Sequence, residues 1–148
     1  MHNQETLIVF QFNHRAIGIN LKDLTHEESL VSNSSGGNSI NWILGHIIIN
    51  RDDIFELLGM SRERDEKFSS LYSRGTQNIA SENALLLEKL LEMFNSSQKK
   101  MEDGVSGADL SGDPEKLKRL TFLAFHEAYH VGQTGILRRI AGKEGAIK

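Results

Sequence analysis

The 148 residues include no cysteine, which excludes disulfides, thiolate-ligated zinc and any thiol nucleophile of the chain's own. Proline is nearly absent too: Pro114 stands alone against 13 glycines, so the commonest helix breaker is missing and an all-α chain is expected. No stripe of Lys and Arg relieves the net charge of -3. A phosphate backbone demands such a stripe, so nucleic acid is not an expected partner. A membrane is not expected either, because the longest central apolar stretch, Ile43 to Ile49, is interrupted by Gly45 and His46 and falls far short of the roughly 20 residues a bilayer needs. Met1 to Glu5 is polar and shows no basic-then-apolar leader, so the expected setting is the cytoplasm. What remains is ordinary: 39% hydrophobic and 25% charged residues, in a length that reads as one domain over 1–148 with a core of its own.

Apolar periodicity divides the chain into four segments. The first, from about Glu5 to Leu24, carries Leu7, Phe10, Ile17 and Leu21 at helical spacing. After the polar stretch Ser32 to Gly37, Asn38 or Ser39 can cap a second helix over Ile40 to Leu58, stopped by Gly59. Ser61 to Ala80 shows no sustained period and reads as a long loop with at most one short turn of helix, the kind of segment that contributes to a site. Ser81 opens a third helix, with rows through Leu86, Leu90 and Met93 and through Leu87, Leu91, Phe94 and Met101, ended by Gly104, Gly107 and Gly112. Asp113-Pro114-Glu115 spells the start of a fourth, which runs to about Ala141 with Arg138 and Arg139 in its last turn and Gly142 beyond. Four such helices predict a four-helix bundle.

Three histidines fall where helical geometry points them inward. His126 and His130 lie four apart, so one ion can reach both, and Phe122, Leu123, Leu137 and Ile140 extend their row. His46 sits in an otherwise apolar stretch of the second helix. Three buried imidazoles need several hydrogen-bond partners in a core, since an unpaired buried polar group costs about 1–3 kcal/mol; one shared divalent ion satisfies all three. Three neutral ligands leave such an ion an open position, as in catalytic sites. Asp53 and Glu127 are the nearest candidates to move protons, although each also reads as an exposed carboxylate. Gln133, three residues after His130, can orient a ligand imidazole. Trp42 and Tyr129 read as core or dimer-contact aromatics, His14 as a weaker inward candidate, and His2 and His26 as surface residues. His126 to His130 also spells HExxH, the zinc-protease signature. Its longer form requires Gly at position 133 and His at 136, where Gln133 and Ile136 stand. The shorter form requires a downstream acidic ligand and leaves only Glu144 in the tail, so a protease is set aside.

Asn41-Trp42-Ile43-Leu44-Gly45-His46, followed some 80 residues later by His126-Glu127-Ala128-Tyr129-His130-Val131-Gly132-Gln133, resembles the DinB-like (DinB/YfiT) superfamily. So do the Tyr72-Ser73-Arg74-Gly75-Thr76 stretch and the Ile136-Leu137-Arg138-Arg139 run. The resemblance spans essentially the whole chain. It implies a four-helix bundle in which His46, His126 and His130 bind a divalent metal, often zinc or nickel, and it frequently implies a homodimer. Some members of the superfamily are transferases or isomerases that use a low-molecular-weight thiol such as bacillithiol or mycothiol. The leading expectation is therefore a metal-dependent transferase adding a small thiol to an electrophile, its sulfur borrowed because the chain has none in cysteine. The alternatives are a metal-dependent hydrolase, in which hydroxide replaces thiolate, and a non-enzymatic stress-related binder of metal or small molecules.

Overall fold

The structure, a computed structural model, describes residues 3–76 and 81–147. These form six helices: α1 (Gln4–Asn20), α2 (His26–Ser29), α3 (Ile40–Leu57), α4 (Glu66–Tyr72), α5 (Leu87–Gly107) and α6 (Pro114–Ile140). The caps of the long helices follow local chemistry. Ser39 accepts the Trp42 amide at the start of α3, and Asp113 accepts the Lys116 amide before Pro114. Gly59, at φ 76°, closes α3 as the Gly59 and Met60 amides return to the carbonyls of Glu56 and Phe55.

Other boundaries differ from the sequence expectation. The first helix ends at Asn20 rather than near Leu24, and the chain then turns through Asp23 at φ 60°. A Thr25–Glu28 capping box starts the unforeseen α2. Within Ser61 to Ala80 the structure has a two-turn helix, α4, whose first turn is capped by Asp65. The end of that segment, 77–80, and His2 lie outside the described residues. The third helix begins at Leu87, not Ser81, and its first amide donates to Nδ1 of His26, 3.2 Å away. His26, expected as a plain surface residue, is thus a cap supplied from 61 residues upstream.

The four long helices form a bundle in which α1 packs on α5 and α6, and α3 packs on the same two. Cross-links fix their directions. Asn13 reaches the Ala124 carbonyl and Asn20 the Thr134 hydroxyl, so α1 and α6 run parallel. Asn41 reaches the Leu85 carbonyl and Arg51 reaches Gln98, so α3 and α5 also run parallel. His14 meets Asn95 while Asn3 meets Val105, which sets the two pairs antiparallel to each other. Because α3 and α5 are parallel, the chain between them must travel back along α3, about 27 Å for 18 residues. That return accounts for the long, unperiodic connection and for α4 within it.

The core has two apolar clusters, one around Ile43, Ile47, Phe94 and Val131, the other around Phe10, Phe55, Met101 and Leu123. A polar layer lies between them. Arg51, fully buried, donates to both oxygens of Glu127 at 3.1 Å, to the Phe94 carbonyl at 2.9 Å, and to Ser97 and Gln98 at 2.8 Å. Its guanidinium carbon also sits 3.9 Å from the Phe94 ring centre.

Candidate metal centre

His46 comes from the middle of α3, and His126 and His130 from consecutive turns of the neighbouring α6. Their ring centres lie 4.6–5.3 Å apart, and one potential ligand atom from each lies within 4.8 Å of the other two. The orientation of two of the rings follows from a hydrogen-bond partner outside the cluster. Nδ1 of His46 is 2.8 Å from the Tyr72 carbonyl, which can only accept, so Nδ1 carries the proton and Nε2 keeps a lone pair. Nδ1 of His130 donates to Oε1 of Gln133 at 2.7 Å, with the same result. The Nε2 atoms of His126 and His130 then face each other at 3.2 Å. Two nitrogens each about 2.05 Å from a tetrahedral ion are separated by about 3.3 Å, so this pair is spaced as two ligands of one ion would be. Donor type, spacing and the tautomers fixed at His46 and His130 fit a divalent metal.

Tyr72 holds the arrangement together, although in the sequence it stands out only within the stretch Tyr72-Ser73-Arg74-Gly75-Thr76. Its carbonyl orients His46, its hydroxyl donates to Asn41 and accepts the Leu85 amide, and its ring lies against Gly45, where any Cβ would overlap it. A glycine inside an otherwise apolar helix, beside a histidine, was the available signal of that close approach. Trp42 is buried and stacks on His46 with ring centres 4.6 Å apart and planes 15° apart, while its Nε1 donates to Thr76 at 2.7 Å. Tyr129, 59% exposed, is not a core residue; its ring stands edge-on to His130, 5.3 Å away.

The other expected site residues separate. Gln133 touches His130 as described. Glu127 is not an exposed carboxylate: it is 1% exposed and both its oxygens face Arg51, which leaves it unavailable as the general base that HExxH requires. Asp53 accepts from Arg62 at 2.6 Å, a partly exposed ion pair outside the cluster. His14 bonds Asn95 on α5 and takes no part. Along α6, Leu123 and Leu137 are buried, but Phe122 and Ile140 are exposed, so the histidine row runs along the edge of the core rather than through its middle.

Burial is the main force on all three imidazoles, and it disfavours the charged form. The pKa of His126 is lowered to about 4, by burial first and then by His130, His46, Arg74 and Arg119. His46 and His130 are lowered mainly by burial, with the Tyr72 carbonyl and Gln133 pulling the other way. All three are therefore neutral at pH 7, the form that ligates metal. The cluster opens onto a cleft of about 780 Å³ lined by Trp42, Phe122, Phe125 and Tyr129 and by the segments Gly36 to Asn38 and Arg74 to Thr76. No carboxylate lines it among the described residues.

The DinB family model matches residues 1–147. No curated protein matches the chain.

Proposed function

The chain belongs to the DinB family, and from that premise we propose that it is a metal-dependent transferase joining a low-molecular-weight thiol to a small electrophile. The carrying observation is three neutral imidazoles at the wall of an open cleft, with no fourth protein donor in the cluster among the described residues. His46, His126 and His130 are the ligands, and zinc or nickel is the ion. A divalent ion held there supplies positive charge that makes a small thiol acidic enough to be a nucleophile at neutral pH. Tyr72 and Gln133 keep the ligand lone pairs aimed inward, and the aromatic walls shed water from a bound apolar body. The sulfur must come from a co-substrate, because the sequence has no cysteine.

A hydrolase reading is weaker, since it calls for a carboxylate to take a proton from water and both candidates are engaged elsewhere, Glu127 with Arg51 and Asp53 with Arg62. The experiment is a comparison of wild type and His126→Ala, both metal-loaded, with a panel of small thiols and aryl halides. Conjugation faster in wild type than in the variant is expected. Equal rates across the whole panel sink the proposal and leave a metal or small-molecule binder.

A homodimer belongs to the same proposal. Phe125 and Ile136 on α6, 65% and 63% exposed, and Phe12 on the adjacent α1, 65% exposed, are large apolar side chains left open to a partner copy and support it. No helix among the described residues is long and apolar enough to cross a membrane. We read 1–148 as one domain working in the cytoplasm.

A further inference from the structure

The cleft holds a cation that the metal chemistry does not use. Arg74 lies on its rim, in a four-residue turn from Ser73 to Thr76 closed by the Thr76 amide on the Ser73 carbonyl at 3.1 Å. Gly75, at φ 88°, takes the third position, where a type II turn requires a positive φ. The turn is tied down from both sides: Thr76 donates to the Ser73 and Leu71 carbonyls and accepts from Trp42 Nε1. The backbone beneath Arg74 is thus fixed to the same tryptophan that stacks on His46. Its side chain, in contrast, is exposed and makes no hydrogen bond or ion pair with any described residue.

A guanidinium on a rigid turn, in a cleft lined by aromatic rings and by no carboxylate among the described residues, is chemistry suited to an anion attached to an apolar body. We infer that Arg74 anchors a carboxylate on the small molecule that enters the cleft. The inference deepens the proposed function, resting on its reading of the cleft as the substrate site, and it narrows the substrate class to compounds bearing a carboxylate beside an apolar or aromatic portion. A planar carboxylate can take two parallel N–H bonds from a guanidinium while the body packs on Phe122, Phe125 and Tyr129. The net charge of -3 on the whole chain makes the local positive field more selective, since anions are drawn to this cleft and not to the surface at large.

Trp42 is the only tryptophan and lines the cleft, so its fluorescence reports occupancy directly. Zinc-loaded and metal-free protein, wild type and Arg74→Gln, are titrated with phenylacetate and with its neutral isostere phenylacetamide. The expectation is that wild type binds phenylacetate about 10-fold or more tighter than the amide, as one charge-assisted contact supplies. The preference persists in metal-free protein, and Arg74→Gln erases it without changing affinity for the amide. Absence of any preference in wild type overturns the inference. So does a preference that survives Arg74→Gln and disappears with zinc, which assigns the carboxylate to the ion. Failure of the transferase reading is separate: thiol conjugation is then absent while the Arg74-dependent preference stands.

Discussion

Glu127 stands beside His126 in the sequence, yet its carboxylate belongs to Arg51 on α3, and both partners are nearly sealed from water. Removing one partner of such a pair leaves an uncompensated buried charge. Glu127→Ala is therefore expected to cost about 3–5 kcal/mol of stability, read from the urea midpoint, and pairing it with Arg51→Met should recover most of that loss. Unchanged unfolding in the single variant would show that the pair does not form. Gln133 acts differently, through the imidazole it orients: Gln133→Leu should weaken zinc binding about 10–100-fold in a chelator competition, and should also cost the metal-free protein about 1–3 kcal/mol, because the buried His130 Nδ1–H loses its partner. The pH response follows from His126. Folding lowers its pKa from 6.5 to about 4, so the unfolded chain takes up the proton first as pH falls. Metal-free protein should lose melting temperature progressively between about pH 6.5 and 4, and His126→Asn should flatten that slope.

At the scale of elements, α4 and the return connection are parts of the site, because they deliver the Tyr72 carbonyl to His46. Gly45 is where that delivery can be broken. Gly45→Ala pushes a methyl group into the Tyr72 ring, so reduced stability and reduced zinc affinity are expected together. Gly18→Ala in α1 meets nothing within 4 Å and should be neutral or stabilising by up to about 1 kcal/mol on helix propensity alone. Equal effects from the two substitutions would remove Tyr72 from the account. What the sequence made legible was local chemistry: Ser39, Asp113 and Gly59 announce their caps, and HxxxH places two rings on one face wherever its helix goes. The start of α5 was not legible, because its first amide is met by His26 from a distant segment while Ser81 mimics a local cap. Four-residue α2 is too short to show a period. The fate of Glu127 was hidden because its partner lies 76 residues away.

For the molecule as a whole, both apolar clusters and the Arg51 layer close without help from an ion. Zinc removal should accordingly lower the melting temperature by mass action and leave the far-ultraviolet helical signal intact; loss of that signal would make the site structural. The direction of the helices has a consequence for how the protein is made. The neighbours of α1 are α5 and α6, the last two helices among the described residues, and the bonds that join them span 81 to 118 residues. Contacts of that separation slow folding relative to an up-and-down bundle of similar length, where neighbours in space are neighbours in sequence. During synthesis the first helix waits, without a surface to bury against, until α5 and α6 have left the ribosome. His46 waits with it, because the two histidines it meets follow it by 80 and 84 residues.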